Sequence, residues 1–154
     1  MISSPSISIL SKPLLILDTN VVLDLLYFDD ATARPLRHAL MGGRVRCAVT
    51  DATFGEWQRV LGYPEFALDA TQQAALAGRY RELSFLFAMD ETVSGLPRCS
   101  DADDQKFIEL AAAARADVLV SKDRALLKLR RRCAPWFRVM PPAAAVGWLD
   151  TALS

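Results

Sequence analysis

Histidine and cysteine are scarce in this chain. It has one histidine, His38, and three widely spaced cysteines, Cys47, Cys99 and Cys133, without a CxxC motif. A single histidine disfavours histidine-based nucleophilic or acid–base catalysis. The cysteines match neither a zinc site nor a disulfide framework, so we expect a reduced, cytoplasmic protein.

Net charge and long apolar runs are also lacking. Among 154 residues, 18 lysines and arginines balance 18 aspartates and glutamates, so no overall basic field attracts a nucleic acid. The longest apolar runs are too short to span a bilayer, and a hydrophobic content of 52% argues against disorder. We expect no membrane association, and a single soluble domain over 14–154 after a loose serine-rich leader over 1–13.

The most informative segment of the sequence is 14–26, which reads LLILDTNVVLDLL. Four aliphatic residues without a polar interruption are typical of a strand buried on both faces of a parallel sheet. Asp18 follows them, at the strand end where open α/β sheets bind ligands. Asp18 is equally typical of the N-cap of the next helix, so both interpretations stand.

Short apolar runs alternate with helical patterns along the rest of the chain. The sequence predicts strands over 45–49, 85–89, 117–120 and 137–140, the second of them at the sheet edge. It predicts helices over 21–27, 32–40 and 71–83, and others that start near Thr50, Asp103 and Pro141. This alternation, without repeats or linkers, predicts one α/β domain with a mostly parallel sheet.

Acidic residues adjoin the predicted strand ends. Asp18 follows the first strand, and Asp123 follows the segment VLVSK. The carboxyl ends of parallel strands share one edge, and right-handed crossovers bring the starts of the connecting helices there too. Further acids expected at that edge are Glu56, Asp101, Asp103 and Asp104.

Helix capping is an alternative explanation for these acids. Two pairs have the spacing of capping boxes: Ser100 with Asp103, and Thr53 with Glu56. The other acids stand at predicted helix starts, where a carboxylate is favourable: Asp101, Asp104 and Asp123. Each acid alone fits a structural role, but their shared edge favours a common site.

Clustered carboxylates need compensation. At about 5 Å, two ionised carboxylates repel by about 3 kcal/mol at an effective dielectric of about 20, while such a domain is stable by only about 5–15 kcal/mol. Some acids must therefore hold a proton, point away or share a cation. Oxygen ligands without histidine or cysteine suit Mg²⁺ or Mn²⁺, and such ions serve phosphodiester hydrolysis.

Four segments, in this order, resemble the PIN-domain ribonucleases. They read LLILDTNVVLDLL, TFGEWQRVL, SDADDQKFIELAAAARAD and VLVSKDRALL. The resemblance spans about residues 14–145 and is greatest to the toxins of bacterial toxin–antitoxin pairs. It implies a three-layer α/β/α fold and a metal-dependent endoribonuclease that acts on single-stranded RNA. It also implies a homodimer and, in some relatives, a cognate antitoxin protein.

The resemblance assigns roles residue by residue. The implied acidic quartet, which would bind Mg²⁺ or Mn²⁺, is Asp18, Glu56, Asp104 and Asp123. The implied supporting residues are Asn20 and Ser121. Many relatives carry one acid where this chain has three, so Asp101 and Asp103 compete with Asp104 or assist it. A PIN-like module that binds RNA or protein without catalysis is the alternative function.

A basic segment follows the last acid of the quartet. Its cations are Lys122, Arg124, Lys128, Arg130, Arg131 and Arg132. We expect some of them, above all Lys122, Arg124 and the three consecutive arginines, to contact RNA phosphates in a salt-dependent manner. The alternative is a solvated helix end whose cations complement the helix dipole.

Two other enzyme or signalling classes also place an aspartate after the first strand. Haloacid-type phosphatases need a second aspartate two residues later, where this chain has Asn20. Receiver-like phosphorylation modules need an acidic pair after the first strand, which is missing. Both classes are therefore disfavoured.

Overall fold

Five short parallel strands form the centre of the fold. In the computed structural model, which describes residues 12–153, they are β1 Leu14–Leu17, β2 Arg46–Val49, β3 Phe85–Leu86, β4 Val118–Val120 and β5 Arg138–Met140. Their order in the sheet is β3-β2-β1-β4-β5, and every neighbouring pair is parallel. The predicted parallel sheet is confirmed, with β3 at an edge.

Helices surround the sheet on both faces. They are α1 Thr19–Leu26, α2 Arg34–Met41, α3 Asp51–Leu61, α4 Ala70–Leu83, α5 Gln105–Ala113, α6 Arg124–Leu127, α7 Arg130–Cys133 and α8 Pro142–Ala152. Two 3-10 turns, Pro64–Phe66 and Ala102–Asp104, precede α4 and α5. The edge strand is shorter than predicted: after the Phe87 N–H donates to the Val49 carbonyl, the chain leaves the sheet.

Side chains of the central strand alternate between two apolar layers. Leu15 and Leu17 pack in one cluster with residues of α1, α2, α3, α4 and α8. Leu14 and Ile16 pack in the other with residues of α5, α6 and α7. Because both faces of β1 are covered, its run needs no polar position. The three-layer α/β/α architecture is confirmed.

The order of the strands creates a crevice at one edge of the sheet. From β1 the chain builds β2 and β3 on one side, then returns to add β4 and β5 on the other. The connections that follow the neighbouring strands β1 and β4 therefore run in opposite directions. The crevice between the carboxyl ends of two such strands is where open α/β sheets bind ligands. Asp18 and Ser121 directly follow these two strands.

The N-terminal leader predicted over 1–13 lies outside the described residues except for Lys12 and Pro13. The Pro13 carbonyl accepts a hydrogen bond from the Arg46 N–H at 2.8 Å, which aligns the start of β1 with β2. Across residues 12–153, every helix is too short or too polar to cross a bilayer.

Candidate metal centre

Three aspartates from distant parts of the chain meet at this crevice. One carboxylate oxygen each from Asp18, Asp104 and Asp123 lies within 4.8 Å of the other two. Asp18 follows β1, Asp123 follows β4 by a short loop, and Asp104 ends the 3-10 turn before α5. The predicted convergence of acids from separate strand and helix ends therefore occurs for these three.

Asp18 occupies the N-cap position of α1, but its side chain does not cap the helix. Its Oδ2 atom instead accepts a hydrogen bond of 2.7 Å from the Ser121 hydroxyl, and the residue is only 3% exposed. Burial raises the pKa of the Asp18 carboxyl, the Ser121 hydrogen bond partly offsets this, and the nearby charge of Glu56 raises it again. The side chain is thus directed into the crevice rather than to its own helix.

Of the three carboxyl groups, that of Asp104 has the fewest contacts that would stabilise a negative charge. It is 7% exposed, and no N–H or hydroxyl group of the described residues donates a hydrogen bond to its Oδ2 atom. Burial, followed by a hydrogen bond with Asp123 and repulsion from Asp18, raises its pKa to about 8. Asp104 therefore retains a proton to a much higher pH than an ordinary aspartate does, unless a cation replaces that proton.

Asp123 does cap its helix, as the capping alternative predicted. Its Oδ1 atom accepts a 2.8 Å hydrogen bond from the Ala125 N–H at the start of α6. Its own N–H donates to the Ser121 hydroxyl at 3.0 Å, so one serine contacts two of the aspartates. The hydrogen bond with protonated Asp104 lowers the pKa of the Asp123 carboxyl. Capping and a place in the cluster are compatible here.

Glu56 lies beside this three-aspartate cluster but is not part of it. Its Oε2 atom accepts a short hydrogen bond from the Thr19 hydroxyl, and its Oε1 atom is 2.6 Å from the Lys106 ammonium. The predicted capping box of Thr53 with Glu56 is wrong. Thr50 caps α3 reciprocally with Thr53, because that pair has the N-cap to N3 spacing.

The competition among the three neighbouring acids is resolved by local geometry. Asp101 is exposed and caps the 3-10 turn by accepting the Asp103 N–H at 3.0 Å. The box predicted from Ser100 and Asp103 does not provide this cap, and Asp103 is also exposed. Asp104, at the end of the turn, is the acid whose side chain reaches the cluster.

The remaining predicted site residues occupy different environments. Ser121 is fully buried, whereas Asn20 is exposed. Lys122 forms a 2.7 Å ion pair with Asp24 of α1. The other cations predicted to bind RNA are exposed to solvent and follow Asp123 in the chain: Arg124, Arg130, Arg131 and Arg132.

Two contributors were missed by the sequence reasoning. Thr19 and Lys106 hold Glu56 from opposite sides, and neither was considered as part of the site. A signal for Lys106 existed, because it is a lone cation just inside the helix that starts at the acidic run.

The residues fit a hard divalent cation. The three aspartates offer carboxylate oxygens within 4.8 Å of one another, and the buried Oδ2 atom of Asp104 needs a partner. Oxygen-only donors match the ligand preference of Mg²⁺ and Mn²⁺. A cavity of about 580 Å³ is lined in part by Lys106, the ion-pair partner of Glu56, and by none of the three aspartates.

Comparison with known proteins identifies the family of this chain. No curated protein and no solved structure matched the chain. A family model described as PIN domain matches residues 15–125, a span that includes Glu56 and all three clustered aspartates. With well over half of its length matched, this chain belongs to the PIN domain family.

Proposed function

We propose that this protein is a Mg²⁺- or Mn²⁺-dependent endoribonuclease that hydrolyses phosphodiester bonds in single-stranded RNA. PIN domains are generally metal-dependent nucleases, which supports a hydrolase. The observation that carries the proposal is the three-aspartate cluster with the unpartnered, buried Oδ2 atom of Asp104. A folded protein leaves such an atom without a partner at a cost, which a cation ligand would remove.

In this proposal the three aspartates bind the ion, and Ser121 orients two of them. Asp18, Asp104 and Asp123 would hold the ion, which when bound acidifies an attacking water and stabilises charge on the phosphate. Ser121 orients the Asp18 carboxylate by donating to it at 2.7 Å. Its acceptance of the Asp123 N–H at 3.0 Å fixes the loop that carries Asp123. Positioning of ligands by such outer contacts is a common feature of metal sites.

Single-stranded RNA as the substrate rests on the family resemblance and on the basic segment. The exposed arginines at 124 and 130–132 lie in α6 and α7, directly after Asp123 in the chain. In a protein of zero net charge, such a local patch would supply the phosphate contacts. Lys122 forms a 2.7 Å ion pair with Asp24. It would have to release Asp24 before it could contact an RNA phosphate.

The cellular role follows the resemblance. We propose that the protein is a cytoplasmic toxin of a toxin–antitoxin pair, active as a homodimer and inhibited by a cognate antitoxin protein. The quartet residues Asp18, Glu56, Asp104 and Asp123 would all serve catalysis, with Glu56 as a fourth acid at the edge of the ion site. Asn20, exposed at the start of α1, would contact the substrate.

A binding module without catalysis is the competing function. One experiment separates the two: purified protein is incubated with single-stranded RNA in Mg²⁺, Mn²⁺ or EDTA. We expect internal cleavage with either metal, none in EDTA, and none with Asp18→Asn. Asp103→Asn is the matched control, because it removes the charge of an exposed neighbour outside the cluster. RNA that stays intact in every lane would refute the nuclease proposal.

A further inference from the structure

Lys106 is held at the metal centre by three contacts. Its ammonium lies 2.6 Å from the Glu56 Oε1 atom and donates to the Asp103 carbonyl at 2.5 Å. The ammonium also lies 5.3 Å from the centre of the Phe107 ring. With 22% of its side chain exposed, Lys106 is much more restrained than an ordinary surface lysine.

Glu56 is correspondingly held from both sides. Thr19 donates to one carboxylate oxygen, and Lys106 pairs with the other. The carboxylate is near enough to Asp18 to raise the pKa of that residue, yet it stays outside the three-aspartate cluster. A fourth negative charge next to three others would be attracted to any divalent cation bound among them.

We propose that Lys106 is a positioning residue of the metal centre. It holds Glu56 against Thr19 and keeps this carboxylate from joining Asp18, Asp104 and Asp123 as a ligand. This inference rests on the proposed function, since it concerns the ion that the three aspartates would bind. Three carboxylates would then hold the ion, and Glu56 would leave space beside it for water and substrate.

The physical reason is charge balance around a partly buried carboxylate. Glu56 has a side-chain exposure of 17%, so it is poorly solvated and needs a partner. While Lys106 is present, that partner is the ammonium. Without Lys106, the strongest remaining cation near Glu56 is the bound metal, and the carboxylate should move towards it. Metal binding should then tighten while turnover falls, because an open ligand position is lost.

The test measures Mn²⁺ binding without RNA, by electron paramagnetic resonance of free Mn²⁺. Lys106→Met should tighten Mn²⁺ binding by about tenfold, whereas Glu56→Gln should abolish this effect when the two changes are combined. Arg98→Met is the charge control, since Arg98 pairs with Glu109 at 3.9 Å and is largely exposed. It should leave Mn²⁺ affinity unchanged.

Folding is checked on the metal-free protein. Lys106→Met should lower the thermal midpoint because Glu56 loses its partner, and the double variant Glu56→Gln/Lys106→Met should recover most of that loss. Unchanged or weaker Mn²⁺ affinity in Lys106→Met would overturn the inference. Equal tightening with and without Glu56→Gln would do so too, because simple charge removal would then explain it. Absence of Mn²⁺ binding by the unmodified protein would reject the metal centre itself, a distinct outcome.

Discussion

Asp104→Asn should make the metal-free protein more stable. The three clustered carboxylates lie within 4.8 Å of one another, and two charges at that distance repel by about 3.5 kcal/mol at an effective dielectric of about 20. Folding raises the pKa of Asp104 from 3.8 to about 8, first through burial and then through the hydrogen bond with Asp123 and repulsion from Asp18. Protonated Asp104 therefore favours the folded state, and this contribution is lost as the pH rises through about 8.

The variant should be compared with the unmodified protein at pH 9, where Asp104 is ionised. Asparagine keeps the shape of the side chain but removes its repulsion from Asp18 and Asp123. Asp123 is only half-buried, so solvent screening reduces the gain to about 2 kcal/mol. For a chain of this length, that corresponds to a rise in thermal midpoint of about 4–8 °C.

With bound metal, the unmodified protein should be more stable than Asp104→Asn. An ion at about 100 times its dissociation constant stabilises the unmodified protein by about 2.7 kcal/mol, whereas Asp104→Asn lacks a charged ligand and should gain little. Thermal unfolding with EDTA and with saturating Mn²⁺ measures both effects. Asp103→Asn, the exposed neighbour, should behave like the unmodified protein in both. A lower midpoint for Asp104→Asn in EDTA at pH 9 would refute the account of the cluster as mutually repulsive.

Two further predictions concern the same centre, and a third concerns the basic segment that follows it. Ser121→Ala removes the donor to Asp18 and should weaken Mn²⁺ binding about tenfold; unchanged affinity in a metal titration would exclude a positioning role. Metal binding at pH 7 should release about one proton, because Asp104 with its pKa of about 8 must ionise to become a ligand. Affinity should therefore fall as the pH decreases below about 8, and calorimetry in buffers of different ionisation enthalpy should detect the proton; identical heats in all buffers would contradict this. Alanine at 130–132 should weaken RNA binding and reduce its salt dependence without affecting Mn²⁺ affinity; unaltered RNA binding would reject the basic patch.

Most of the fold was predictable because its signals are local. The apolar run Leu14–Leu17 has no polar position, and β1 is covered on both faces. Caps at Thr50 and Asp123 mark helix starts by side-chain hydrogen bonds that span only a few residues. Because strands alternate with helices, the parallel sheet follows from the order of the elements.

The position of the acidic crevice was also predictable, for a topological reason. Parallel strands share the edge at which they end, so Asp18 and Asp123 had to lie on the same side of the sheet. What remained open was the direction of each side chain. Asp18 stands at an N-cap position, yet its carboxylate contacts Ser121, which is far away in the chain.

By itself, the sequence determined the alternation of strands and helices and which edge of the sheet collects the acids. Tertiary structure alone decided that Asp104 rather than Asp101 or Asp103 enters the cluster, and that Glu56 lies outside it and pairs with Lys106. The physical reason is that strand and cap signals act over a few residues. The charge state and direction of a carboxylate instead depend on burial and on partners from other elements, which only the assembled fold brings within contact distance.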